Sequence, residues 1–204
     1  MATHPANPEN LVVITPASPP AARDVVDRVL MGRIVARDDA AFRDLYVYYH
    51  RRLTRFLMRL TRRYELAEEV INDTFWVVWN KAGEFRGESR VSTWIMGIAY
   101  RRALKTLHGS DIKVADTVAH EDLHLQAPDE LSAAELSEWI LSAMQKLPAE
   151  QRLVIEFAYG HGYSCEEIAK IMNCPINTVK TRLFHAREKM RHLLPQLAGL
   201  QELS

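Results

Sequence analysis

At 204 residues, with 48% apolar and 25% charged side chains, the chain has the composition of a soluble globular protein and the length of one medium domain or two small ones. Its 26 basic and 26 acidic residues cancel overall but not locally: residues 40–108 carry thirteen Lys and Arg against seven Asp and Glu, residues 109–138 one against eight, and residues 139–204 eight against six. Two basic bodies flanking an acidic connector favour a polyanionic partner met by the bodies, and exclude a uniformly charged tail or a featureless neutral surface.

Residues 1–37, rich in proline and alanine, read as a flexible N-terminal extension in which a short helix around 25–35 is the ordered candidate. The apolar run Leu11-Val12-Val13-Ile14 is four residues long and is followed by Pro16, Pro19 and Pro20, so it is no secretory signal, and no later run is long enough to span a bilayer. A cytoplasmic protein with no direct membrane insertion is expected.

From Asp39, read as a helix cap, Phe42, Leu45, Tyr46, Tyr49, Leu53, Phe56, Leu57 and Leu60 recur at three and four, the period of an amphipathic helix. A second helix is predicted from about Glu65 to Lys81 with Leu66, Val70, Ile71, Phe75 and Val78 inward. "GEFRGESRVS" then supplies two glycines and polar residues, a loop, before "TWIMGIAYRRALKTL" resumes helical spacing with Ser92 as its cap. Trp76, Trp79 and Trp94 could stack on bases, but their spacing places them in the core.

The acidic segment from Gly109 to about Leu131 has little periodicity and reads as a linker. It contains His120, Glu121 and His124 in the order H-E-x-x-H, the spacing by which a helix offers two imidazoles to zinc. A zinc protease needs that pattern on a rigid apolar helix with a third ligand and a cleft, and neither accompanies it here. No nucleophile, phosphate loop or carboxylate pair stands elsewhere, so neither enzyme chemistry nor a cofactor or metal is expected, and no small-molecule substrate. Cys165 and Cys174 are too few for a disulfide framework and too far apart for a C-x-x-C pair, which leaves reduced structural thiols.

The second body opens with Ser132 and Glu135 spaced as a capping box, on a helix that should stop before Pro148. Pro148 suits the start of the next helix, which Gly160 or Gly162 can end. Ser164 and Glu167 form another capping box for a short helix over about Cys165–Met172, Asn173 suits a left-handed turn, and Asn177 can cap a longer final helix. This is helix-turn-helix spacing. On the final helix Val179, Leu183, Ala186, Met190 and Leu193 form one core stripe, and Asn177, Lys180, Thr181, Phe184 and His185 lie opposite it. Those outward residue types suit base edges, while Arg182 and Arg187 on the shoulders suit phosphates.

With these motifs in place the chain resembles the bacterial extracytoplasmic-function sigma factors of the sigma-70 family. The resemblance runs over residues 38–195, through "LAEEVINDTFWVVW" and "FRGESRVSTWIMGIAYRRA" in the first body and "LPAEQRLVIEFAYGHGYSCEEIAKIMNCPINTVKTRLFHAREKMR" in the second. It implies an all-α fold of two small helical domains: region 2, a three-to-four-helix bundle, over residues 38–108, and region 4, the helix-turn-helix, over residues 132–195. A flexible acidic linker joins them over residues 109–131, and residues 196–204 form a C-terminal tail.

By the resemblance, the chain is an alternative sigma factor that binds core RNA polymerase through its clamp helices and flap, recognises minus-35 and minus-10 promoter elements, helps melt promoter DNA, and is held inactive by an anti-sigma factor. The clamp-binding role falls on Glu68, Glu69, Asn72 and Asp73, beside Leu66 where the family usually has an acid. The minus-10 role falls on Arg86, Ser89, Arg90, Thr93, Arg101, Arg102 and Lys105, with Arg101 where many relatives carry Asn. The minus-35 role falls on Asn177, Thr178, Lys180, Thr181, Arg182, Phe184, His185 and Arg187. The alternative, a stand-alone helix-turn-helix regulator, would leave the acidic helix and loop of the first body without a use.

Overall fold

In the computed structural model, residues 21–109 and 139–197 are described, and among them every regular element is a helix. In chain order these are α1 (Ala21–Val35), α2 (Asp39–Thr61), α3 (Tyr64–Lys81), a 3₁₀ turn (Ala82–Glu84) and α4 (Val91–Gly109). In the second body α5 is helical over 139–145. Then come α6 (Ala149–Ile155), which widens into a π turn at Glu156–Gly160, α7 (Cys165–Met172) and α8 (Ile176–Leu197). Among the described residues no helix is long and apolar enough to cross a membrane.

The first body is built around α2, whose Leu45, Tyr49, Leu53, Phe56, Leu57 and Leu60 are all buried at the predicted spacing. Its cap is Asp38 rather than Asp39: the Asp38 backbone is extended, and its carboxylate accepts from the N–H groups of Ala40 at 2.9 Å and Ala41 at 3.1 Å. Those N–H donors and the Arg33 guanidinium hold the Asp38 carboxyl below the usual carboxylate range. Arg62 closes the other end with a left-handed backbone (φ 57°), its N–H donating to the Met58 carbonyl. On α3 the buried side is Ala67, Val70, Ile71, Thr74, Phe75 and Val78.

Residues 21–35, which fall in the extension expected to be flexible, form α1 and pack on α2 and α4. Asp27, Leu30, Met31 and Ile34 recur at three and four and are buried, so burial of one face stabilises a helix whose propensity alone says little. The Tyr49 hydroxyl donates to Asp27 at 2.5 Å, and Arg23 pairs with the same carboxylate at 2.8 Å. Burial nevertheless pushes the Asp27 carboxyl above its ordinary range, outweighing Tyr49 and Arg23, which pull it down. A raised acid stabilises the fold below its unfolded pKa and loses that contribution as pH rises through the folded value. Asp27→Asn should therefore gain stability relative to the parent as pH rises from about 4 toward 7. Thermal melting of both proteins across that window checks this, and a constant difference would refute it.

In the second body several expected local devices are present. Ser164 and Glu167 make the reciprocal capping box of α7, Asn173 takes the left-handed turn (φ 51°), and Gly162 (φ 69°) ends the preceding helix, with the Tyr163 N–H donating to the Phe157 carbonyl at 2.9 Å. Asn177 is not the cap of α8. That helix begins at Ile176, and the N–H groups of Thr178 and Val179 donate to the Pro175 carbonyl.

The core continues from one body into the other. Phe157, fully buried, lies between Phe56 of α2 and Tyr100 of α4, at centroid distances of 5.1 and 6.1 Å. Around it Arg59 pairs with the buried Glu156 at 3.0 Å, Arg52 donates to the His161 carbonyl at 2.9 Å, and the Tyr163 hydroxyl donates to the Ser92 carbonyl at 3.3 Å. Burial in this seam pushes the Tyr163 phenol up to about 12.

Candidate nucleic-acid interface

α8 divides as its sequence suggests. Val179, Leu183 and Ala186 are buried and Met190 and Leu193, expected in the same stripe, are only half-buried, while Asn177, Lys180, Thr181, Phe184 and His185 are exposed and Thr178 is half-buried. Phe184, 60% exposed, has no place in the core and rests edge-on against His185 at 5.5 Å, so an aromatic is held outward among polar donors. The shoulder arginines have partners within the chain: Arg182 pairs with Glu150, and Arg187 donates to the Tyr159 hydroxyl at 2.7 Å with its guanidinium over that ring. These contacts hold both guanidinium groups beside the outward face.

The second cluster is the loop after the 3₁₀ turn together with the start of α4. Arg86 is exposed, Ser89 and Arg90 are half-buried, and Ser92 and Thr93 are buried. Ser92, expected as the cap, lies inside the first turn of α4, and the N–H of Val91 is met instead by the carboxylate of Asp24 at 2.9 Å. What buries Thr93 is the second body: its hydroxyl donates to Glu167 of α7 at 2.7 Å, and Arg90 lies 3.4 Å from the same carboxylate. Lys170 of α7 also donates to the Glu88 carbonyl at 2.5 Å. Gly97 lies where α4 meets α7: a Cβ there would stand 3.6 Å from the Ile171 Cα and 3.1 Å from the Arg101 guanidinium. Burial draws the Arg101 pKa down from its usual value. Lys105 is exposed, and Arg102 lies 3.4 Å from Asp73, linking the loop-and-α4 cluster to α3.

On α3, Glu69, Asn72 and Asp73 are exposed, and Glu68, half-buried, meets His50 at 3.1 Å. The structure adds a feature that periodicity assigned to the core. Trp76 is 67% exposed, and with Phe42, Tyr46, Asn72, Phe75 and Trp79 it lines an open groove of about 460 Å³ between α2 and α3. Residues 72, 75, 76 and 79 share one side of α3, so the signal was present; it resembled a core stripe because it is apolar. Trp79 and Trp94 are half-buried, packed against the core.

Cys165 and Cys174 are free thiols. His120, Glu121 and His124 lie outside the described residues, as do Ser132 and Glu135. Among the described residues no group of three or more His, Cys, Asp or Glu side chains is placed to hold a metal ion.

Residues 45–110 match the family model for sigma-70 region 2, and residues 137–190 that for sigma-70 region 4. Relatives similar over most of both chains include the ECF RNA polymerase sigma-E factor of Haemophilus influenzae, 29% identical and covering 86% of this chain and 99% of that one. The RNA polymerase sigma-H factor of Pseudomonas aeruginosa is 28% identical over 84% and 95% of the two chains. Similar folds include CnrH, solved in complex with the cytosolic domain of CnrY, with a TM-score of 0.59 at 20% identity over 84% of this chain and 98% of that one. The sigma factor RpoE of Bartonella quintana, solved with the anti-sigma factor NepR, gives 0.53 at 24% identity over 79% and 98%.

Proposed function

Because the chain belongs to the sigma-70 family, as an extracytoplasmic-function sigma factor, we propose that it binds core RNA polymerase in the cytoplasm and directs initiation at promoters through two separate readings of DNA. Residues 38–108, with α1 packed on them, form the region 2 body, residues 109–131 the linker, and residues 132–195 the region 4 body. The exposed face of α8, with Asn177, Thr178, Lys180, Thr181, Phe184 and His185, reads the minus-35 element, and Arg182 and Arg187 hold its phosphates. Arg86, Ser89, Arg90, Thr93, Arg101, Arg102 and Lys105 bind and help open the minus-10 element, where a basic loop suits an unstacked single strand. Glu68, Glu69, Asn72 and Asp73 face the polymerase clamp helices.

The observation that carries this reading is the division of α8 into a buried stripe and an outward face of base-contacting residue types, on the second helix of a tight helix-turn-helix. The region 2 body decides against a stand-alone regulator, which has no use for it. The activity is binding and strand separation, not covalent chemistry, and an anti-sigma factor is the natural regulator given the complexes in which similar folds were solved. Purified full-length chain added to core polymerase should yield promoter-dependent transcripts; transcription unchanged by the chain would refute the proposal. His120→Ala, Glu121→Ala and His124→Ala together should leave that transcription nearly unchanged. Loss of most of it, with zinc dependence in the parent, would assign the linker motif a metal role.

A further inference from the structure

Residues 85–90 have no regular structure, yet the minus-10 reading requires their side chains to be presented in a reproducible geometry. We propose that α1 supplies that geometry: Asp24 and Arg28 are positioning residues that hold the loop and the first turn of α4 for minus-10 recognition. The inference rests on the assignment of Arg86 and Ser89 to that element.

Each link is a direct contact. One oxygen of the Asp24 carboxylate accepts from the Val91 N–H at 2.9 Å, so the start of α4 is capped from a residue 67 positions away rather than by a local side chain. Its other oxygen accepts from Arg28 Nε at 2.7 Å, which orients the guanidinium. The two terminal nitrogens of Arg28 then reach back to the loop, donating to the Gly87 carbonyl at 3.3 Å and the Ser89 carbonyl at 2.9 Å, while the guanidinium lies 5.7 Å from the centre of the Phe85 ring.

The loop is shaped to accept this clamp. Gly87 has φ 73°, a backbone conformation that favours glycine, and a Cβ there would stand 2.9 Å from Arg28 Nη1, so a side chain at this position would displace the guanidinium from its present place. Behind the clamp, α1 is fixed by buried Leu30, Met31 and Ile34 and by the Asp27 to Tyr49 hydrogen bond. Rigidity therefore passes from the core through α1 to two loop carbonyls and one helix N–H. Turning the carbonyls of 87 and 89 toward one guanidinium limits the directions open to the neighbouring side chains, and Arg86 is left facing solvent. A loop ordered before binding does not lose that freedom when the strand arrives.

The test uses full-length variants reconstituted with core polymerase and assayed by single-round transcription on two promoter libraries, one randomised at the minus-10 element and one at the minus-35. Arg28→Ala should narrow the spread between favoured and disfavoured minus-10 sequences by roughly tenfold, the scale of removing a charge-assisted hydrogen bond. The minus-35 ranking and the affinity for core should stay as in the parent. Arg28→Lys, which keeps the charge but cannot fork across two carbonyls, should fall between, as should Asp24→Asn. These two variants carry the test if Arg28→Ala fails to fold.

A loss shared equally by all minus-10 sequences, or no loss, would show that α1 only adds stability, and would overturn the proposal. Arg86→Ala and Ser89→Ala in the same library separate the two levels. If they shift the minus-10 ranking while the α1 variants do not, the positioning role alone fails. If they leave the ranking untouched, the loop assignment fails and takes the positioning role with it.

Discussion

Phe157→Ala is expected to loosen the seam between the two bodies. The ring is fully buried and packs against Phe56 and Tyr100, which belong to α2 and α4, as well as against Tyr163 of its own body. Removing a buried phenylalanine costs about 3–5 kcal/mol, from reduced burial and from the cavity left behind. Here much of that cost falls on the seam between bodies. The ties nearest the ring, Arg59 with Glu156, Arg52 with the His161 carbonyl and Tyr163 with the Ser92 carbonyl, are polar and would face entering water, while the packing of α4 on α7 around Gly97 and Ile171 would remain. Denaturant unfolding should show the destabilisation, and energy transfer between dyes on α3 and α8 should show a longer distance while each body keeps its helicity. An unchanged distance would mean that the seam does not depend on this ring.

The other large effect concerns which promoters are read. Lys180→Ala and Thr181→Ala should reorder minus-35 variants, at about 1–3 kcal/mol for each base-edge interaction removed. Arg187→Ala should weaken all variants alike and reduce the salt slope by about one. The Tyr159 hydroxyl, which loses its Arg187 partner in that variant, sits at the surface and can turn to water, so the fold should hold. Holoenzyme binding to a minus-35 panel at several salt concentrations distinguishes the two behaviours. If base-face and shoulder variants gave the same pattern, the assignment of roles on α8 would fail.

What is legible in the sequence is local. The bounds of α7, its capping box, the Asn173 turn and the buried stripe of α8 all follow from residues within about one or two helical turns of one another, where spacing carries the information. Asp38 against Asp39 is a one-residue difference of the kind expected where neighbouring residues can both serve as caps, whereas α8 starts at Ile176, two residues earlier than a cap at Asn177 implies. α1 was harder: its buried side includes Asp27, and its exposed side carries Val25, Val26, Val29 and Val35, so the contrast that marks an amphipathic helix is weak.

Distance along the chain hid the rest. Asp24 caps α4 from 67 residues away and Thr93 meets Glu167 from 74, and no periodicity reports such pairs. Ser92 looked like a cap because local rules are blind to a carboxylate arriving from another helix. Trp76 departs from its expected core position for the opposite reason: an apolar side chain at core spacing can equally line an open groove.

Glu167 completes the α7 cap with one carboxylate oxygen and accepts from Thr93 with the other, beside the Arg90 guanidinium. An anionic oxygen held by a hydroxyl and a guanidinium is the arrangement a backbone phosphate would find there. If Thr93 and Arg90 serve the minus-10 role proposed above, Glu167 stands in this packing where nucleic acid has to go. On that reading an incoming strand would meet an occupied site, and its apparent dissociation constant would exceed the intrinsic one by the inverse of the fraction of molecules in which the carboxylate is displaced. A partner that drew the two bodies apart would raise that fraction without touching a base, so under the proposed assignment the seam would set how strongly minus-10 binding depends on that separation.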